Sequence, residues 1–592
     1  MAIKPLRLTF LALLLLSVLA ACGPAEEPST PWPAVPTETV PSGETPSPTD
    51  ASPPSKPSAT PAPGEPTPLP VYDAQPLPTD SGALFSASGA CAACHNNLTD
   101  AGGSDVSIDT DWRSAMMANA ARDPYWQAAV RSEVLDNPHL ELVIEDKCAT
   151  CHTPMAHTAA VVSGAETNLL DAGFLEPDHP DHTFAIDGVS CTLCHQIEER
   201  GLDDAESFSG GFSIDPQRPP GERLVYGPFP PVPGPASMMQ RASGYRPVEG
   251  PQTLRSELCA TCHTLYTPYV DQGGEVAGTF PEQVPYLEWQ HSAYADTHAC
   301  QDCHMPPAQG AVRLASTGGG PPRRPFGIHR FIGGNVYVLN MLWAFGEDLG
   351  VTAASDHFAR KVDQTLDQLQ NRTAAVTVES LTVAEGRLSF DVVVENQAGH
   401  KFPTGFPARR AWLRVTVQDN EGNVVFASGA INPDGSIVGN DNDADAATTY
   451  EPHYQEISGP DQVQIYEPIL EDVSGEVTTG LLRASRYRKD NRLLPSGFDK
   501  ASAGEDVAVY GAAADDDDFG PGGDTVRYLV DLTGAQGALT VRVELLYQSI
   551  GYRWAEDLRR HDAAEIARFL TAYDALPNQP VVVAQATAAL GP

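Results

Sequence analysis

Five times the chain sets two cysteines three positions apart and follows the second at once with a histidine. The five sets are Cys91, Cys94 and His95; Cys148, Cys151 and His152; Cys191, Cys194 and His195; Cys259, Cys262 and His263; and Cys300, Cys303 and His304. This CxxCH spacing is the attachment signature of c-type haem. Two thiols add across the vinyl groups, and the imidazole reaches the iron as its proximal axial ligand. A redox CxxC pair or half a zinc site needs no such histidine. Nor would 11 Cys and 16 His scattered over 592 positions give five repeats by chance. The expectation is five covalent haems, in a scaffold where the macrocycle replaces much of the usual side-chain core.

Ten of the eleven cysteines are used in these motifs, so no thiol remains for a disulfide framework. The eleventh is Cys22. It ends the string Leu19-Ala20-Ala21-Cys22, which follows a basic start (Lys4, Arg7) and an apolar run from Leu8 to Leu19 that is short for a membrane span. The string resembles a bacterial lipobox, with residues 1–22 as signal peptide and Cys22 as the lipidated first residue of an exported chain. Acylation with two or more chains would hold it to a membrane. Residues 23–80 are rich in Pro, Ser, Thr and Ala, a composition that buries too little to fold and predicts an extended stalk.

The motifs fall within residues 82–371, where irregular spacing argues against a tandem repeat. We expect this domain to be mainly helical and loop-rich, with Asp123-Pro124 starting a helix. The 3–4 spacing of Phe358, Val362, Leu366 and Leu369 predicts a closing helix. From Ala374 the pattern changes to period two. Leu388, Phe390, Val392 and Val394 alternate with other residues, as do Leu413, Val415 and Val417, and Asp419 to Gly422 reads as a hairpin turn. Residues 374–580 therefore predict a β-sandwich-like domain with a short helix near Ala563 to Tyr573. The fold class is α+β and multidomain.

Each motif supplies one axial ligand, and a second must fill the opposite face unless a substrate does. His157, His291, His329 and His400 stand in informative settings. Pro154 turns the chain before His157, so that it faces a neighbouring haem and not its own. Gly333 and Gly334 after His329 would let backbone approach a flat ring. Met116 or Met117 is the candidate for a fifth position, with core filling as the alternative. His179 and His182 are the other contenders, unless they lie in a solvated loop.

These strings carry a resemblance. WRSAMMANAARDP, DGVSCTLCHQI, ELCATCHTLYTP, TFPEQVPYLEWQHSAY, CQDCHMP, GHKFPTGFPARRAW and YRKDNRLLP, spread over roughly residues 88–573, make the chain resemble the bacterial multihaem cytochromes c whose haem domain precedes a β-sandwich. The resemblance implies distal ligation by His157, His291 and His329, and by His400 reaching in from the sandwich. Arg409, Arg410, Lys489 and Arg492 lie near these strings and could pair with haem propionates or, alternatively, with surface carboxylates.

A net charge of −40 makes nucleic acid an unfavourable partner. It suits cationic redox partners or an external acceptor. Asp515 to Asp518 with Asp524 form an oxygen-rich stretch that could hold Ca²⁺. The spacing is not that of an EF-hand, and a solvated acidic loop is the other reading. The functional expectation is an extracytoplasmic, membrane-anchored electron carrier. The alternative is an oxidoreductase with one open haem acting on a small nitrogen or sulfur oxyanion. None of the five motifs ends in the Lys of the catalytic haem of many multihaem nitrite reductases.

Overall fold

The structure, a computed structural model, describes residues 69–444 and 449–591. Cys22, the predicted signal peptide and most of the predicted stalk lie outside these residues. The last of that stretch is not free chain. Tyr72 donates its N–H to Ser355 Oγ at 2.7 Å and its hydroxyl to the Trp343 carbonyl at 3.0 Å. Gln75 N–H reaches the Thr352 carbonyl at 3.0 Å.

Asp123 caps the helix Pro124–Asp136, its carboxylate accepting from Tyr125 N and Trp126 N at 2.9 and 3.3 Å. The helix Glu141–His152 carries the second motif in its last turns. Pro154 then opens a further helix, Pro154–Ser163, which Gly164 ends in the left-handed region. The third, fourth and fifth motifs ride on short helices, Cys191–Cys194, Ser256–His263 and Cys300–His304.

The expectation of a mainly helical scaffold is not met, since helix makes up 29% and strand 23%. Further short helices, among them Ile108–Arg113, Pro285–Gln290 and Val336–Ala344, alternate with irregular stretches, and the motif region also includes two ribbons. Strands β1 (Arg223–Gly227) and β2 (Tyr245–Glu249) pair in parallel, while β3 (Leu265–Val270) and β4 (Val276–Gln283) pair antiparallel. Proline explains part of this. Pro228, Pro230 and Pro231 withhold the N–H groups that a continuous helix needs, while Pro233 opens the helix Pro233–Ser243, where its missing N–H is not called on. The closing helix forms as expected, over Ser355–Arg372.

Beyond it, two sheets face each other. One runs β5 (Ala374–Ala384), β6 (Arg387–Asn396), β14 (Gly523–Asp531) and β9 (Glu456–Ile457). The other runs β10 (Ile465–Tyr466), β7 (Arg410–Gln418), β15 (Leu539–Gln548) and β16 (Val581–Leu590), with β8 (Val424–Ser428) also on β7. Period two sets the register. Val392 stands opposite Val526 and Phe390 opposite Tyr528, whose rings stack at 5.2 Å. Leu413, Val415 and Val417 meet them in one buried core. Asp419 and Gly422 close the β7–β8 turn, with Gly422 at φ 81°. Strand β16 carries the sandwich past residue 580. Its alanines lack the branched or aromatic character that marks strands in sequence.

A smaller sheet of β11 (Pro468–Glu471), β12 (Val477–Thr478) and β13 (Arg486–Asp490) leans on the motif region, where Tyr487 donates to the Pro281 carbonyl at 2.6 Å. The helix Ala564–Ala575 returns against Pro124–Asp136, burying Ile566 and Phe569 with Tyr125 and Ala128. An Arg131–Glu565 ion pair at 2.9 Å flanks that contact. The motif region and the sandwich thus belong to one compact unit.

Glu133 marks the seam. Its buried carboxylate accepts from Leu481 N and Leu482 N at 2.5 and 3.3 Å, and burial raises its pKa from 4.5 to about 7. A carboxyl with a raised folded pKa favours folding while protonated, so this contribution is lost as pH rises from 4.5 through 7. Glu133→Gln is expected to flatten the fall in melting temperature over that range; an unchanged pH profile would contradict it.

Candidate functional site

Four motif histidines share one backbone device. Their Nδ1 atoms lie within hydrogen-bond reach of carbonyls: His95 to Leu314 at 2.6 Å, His152 to Ala120 at 3.0 Å, His195 to Tyr226 at 2.5 Å and His304 to Ile332 at 2.5 Å. A carbonyl can only accept, so Nδ1 carries the proton and the Nε2 lone pair is left free. That is the tautomer a metal-bound imidazole needs, and such a second bond also fixes the ring plane. Burial pushes the pKa of His152 and of His263 down to about 4, keeping both neutral. Trp126 stacks on His152 with ring centroids 4.3 Å apart.

Two of these rings have a partner imidazole. His195 faces His329 with ring centroids 6.4 Å apart and planes inclined by 23°. His304 faces His400 at 6.3 Å and 15°. Two imidazoles bonded to one metal on opposite sides, with bonds of roughly 2 Å each, put their centroids about 6 Å apart. His329 and His400 also hold their Nδ1 atoms against carbonyls, of Gly327 at 3.1 Å and Lys401 at 2.9 Å, which leaves Nε2 free. Burial takes His329 down to about 3. The donor set therefore fits iron at the third and fifth motifs. A cleft of about 270 Å³ opens beside Cys303, bordered by Arg330, Ile332, Gln364 and Arg372.

The remaining sequence candidates divide. His291 turns Nδ1 to the Leu287 carbonyl at 2.8 Å and rests against Phe498. His182 does the same with the Phe174 carbonyl at 3.0 Å. His179 instead uses Nδ1 to accept from Asp181 N at 3.1 Å. His157 sits on the helix Pro154–Ser163. The turn at Pro154 folds its helix back on the one before, and its Nε2 meets Asp146 Oδ1 at 3.0 Å and Thr150 Oγ1 at 3.3 Å. Met116 packs against the Tyr125–Phe358 core, in keeping with gap filling, and Met117 is half-buried. Gly334 lies against Tyr547 of the sandwich.

Thiols of different motifs lie together. Cys91 lies beside Cys191, Cys151 beside Cys262, and Cys259 beside Cys300, while the Cys194 thiol is close enough to feel Cys262. The fourth motif thus neighbours the second, third and fifth, and the first joins through the third. At Gly210, φ +85°, the chain runs beside both the second and fourth motifs. Its N–H bonds to the Thr261 carbonyl at 2.6 Å, and a Cβ there would fall 2.1 Å from Thr150 Cγ2.

The basic residues are mostly committed to protein carboxylates, and these pairs are buried, not superficial. Arg410 pairs with Asp443 at 2.8 Å and Lys489 with Glu467 at 3.2 Å. Arg492 pairs with Glu288 at 2.8 Å and Asp490 at 2.7 Å. Arg409 donates to the Thr404 carbonyl at 2.7 Å, and its charge acts on His263.

The acidic stretch divides: Asp515, Asp517 and Asp518 are exposed, as a solvated loop would have them, while Asp516 turns inward. Asp516 and Asp524 are buried beside His453. Gln464 and Asn491 both donate to His453 Nδ1, at 2.8 and 3.1 Å, so its proton sits on Nε2 and is donated to Asp516 at 3.0 Å. The Asp524 carboxylate accepts from Tyr466 at 2.7 Å and Gln464 at 3.1 Å. Lys500 supplies the positive charge, its ammonium bonding the carbonyls of Ala513, Asp516 and Phe519.

No family model matches this chain. No curated protein matches it either. Among solved structures it is similar to a penta-haem cytochrome c552 from Thermochromatium tepidum, at 17% identity and a TM-score of 0.45, over 85% of this chain and 98% of that one.

Proposed function

We propose that this chain is a pentahaem c-type cytochrome that carries electrons outside the cytoplasm. The carrying observation is the facing pair His304 and His400, with its counterpart His195 and His329, each at the ring separation of two ligands to one metal. Haem c at each CxxCH supplies the one-electron ferric–ferrous couple of its iron. The chain's own part is to hold it by Cys91 and Cys94, Cys148 and Cys151, Cys191 and Cys194, Cys259 and Cys262, and Cys300 and Cys303. It also fixes the imidazoles through backbone carbonyls and sets neighbouring motifs in contact. His157 and His291 are the proposed distal ligands for two of the other three positions, His157 after releasing Asp146. Lipidation at Cys22 would anchor the protein on the outer face of a membrane, with redox proteins or an external acceptor as partners. Among the described residues no helix is long and apolar enough to cross a membrane.

A second reading, one open haem reducing or oxidising a small nitrogen or sulfur oxyanion, draws support from Met116 lying in the core and His157 being held by Asp146. One preparation separates the two. The pyridine haemochrome assay is expected to give five haems per chain, and electron paramagnetic resonance of the oxidised protein to show only low-spin iron. Fewer than five haems would sink the proposal as a whole. Five haems with one high-spin signal in the wild type would move the assignment to the oxidoreductase.

A further inference from the structure

Between the motif region and the sandwich lies a cluster of four charges with almost no solvent contact. Glu288 and Lys401 are 0% exposed, Asp490 1% and Arg492 3%. Lys401 Nζ meets Asp490 Oδ2 at 2.7 Å and the Ala508 carbonyl at 3.1 Å. Arg492 bridges Asp490 and Glu288. Glu288 comes from the motif region, three residues before His291, and the other three from the sandwich. Buried ion networks of this kind seldom add stability over apolar packing of equal volume, so their retention asks for another reason.

That reason lies in the connection to His400. Glu288 Oε2 accepts the Lys401 backbone N–H at 3.2 Å and the Thr404 hydroxyl at 2.5 Å. The Lys401 carbonyl in turn accepts from His400 Nδ1 at 2.9 Å, which sets both the tautomer and the plane of that ring. Asn396 holds the His400 carbonyl at 2.9 Å. The Lys401 peptide is thus gripped on one side by a carboxylate of the motif region and turns its other side to the imidazole opposite His304.

We propose that Glu288, Lys401, Asp490 and Arg492 are positioning residues for His400, holding its Nε2 on the iron of the fifth motif. This rests on the pentahaem reading above. The charges do not touch the iron; they fix the peptide that orients its ligand.

The test uses the full chain with haem attached. In His400→Ala, one haem in five is expected to turn high-spin and to return to low-spin on adding imidazole. Lys401→Met keeps most of the side-chain volume and is expected to give the same single high-spin signal with all five haems still covalent. Glu288→Gln, an isostere, is the second variant in case Lys401→Met does not fold, and is expected to convert part of that haem. Imidazole should reverse both. If His400→Ala leaves every haem low-spin, the ligand assignment fails. If His400→Ala responds but Lys401→Met and Glu288→Gln keep wild-type spectra and potentials, the ligand stands and the positioning proposal falls.

Discussion

A chain cut after Thr373 is expected to lose the fold of the motif region as well as the sandwich. Tyr125, Ala128, Tyr337 and Phe358 would lose the cover of Ala408, Ile550, Ile566 and Phe569, with which they form one buried cluster. Glu288 would lose Arg492 and the Lys401 N–H together. Stranding a buried charge in this way costs about 3–5 kcal/mol, against a total stability of about 5–15 kcal/mol for a typical domain. His304 would lose the imidazole it faces. Limited proteolysis and thermal melting of the truncated, haem-loaded chain provide the check. A protease-resistant fragment with a wild-type melt and five low-spin haems would show that the sandwich is dispensable.

His263→Ala is expected to have the largest effect on redox behaviour of any single substitution. The fourth motif is the one whose thiols neighbour three others: Cys262 lies with Cys151 and near Cys194, and Cys259 with Cys300. On the proposed ligation, removing His263 leaves the second motif, the fifth motif, and the joined first and third as three separate groups. Haem content should fall from five to about four per chain, and stopped-flow reduction by a single donor should break from one phase into several. The control is His152→Ala, at a motif whose only thiol contact is with the fourth. It should lose one haem yet keep a single dominant phase. Equal behaviour of the two variants would contradict the branched order.

Much of this was legible in one dimension because its signals are local. CxxCH depends on spacing within five residues, and the alternation of Leu388, Phe390, Val392 and Val394 depends only on the two-residue pleat. His329 and His400 could be singled out from the strings around them. The iron that each would serve could not, because the pairings join His195 to His329 and His304 to His400 across long loops. For His157 the turn at Pro154 was visible in sequence, while the return of its helix onto Asp146 was not. Of the positioning charges, only Arg492 was singled out in sequence, as a partner for haem propionates or for surface carboxylates, where charged residues usually lie. Only the fold shows that Lys401, Asp490, Arg492 and Glu288 complete one another. The acidic loop was legible only in part: Asp515, Asp517 and Asp518 are exposed, but the burial of Asp516 beside His453 and the approach of Lys500 through loop carbonyls come from residues outside the aspartate run.

The partnership of His304 with His400 also sets a timetable. The fifth motif is complete as a sequence long before His400 is synthesised, and His400 cannot take its place until β6 and β13 have formed on either side of the Lys401 grip. On the proposed ligation, the fifth site until then would have one axial ligand from its own motif and stand open to small ligands. The coordination state of that one iron would then report whether an individual molecule has joined its sandwich to the motif region.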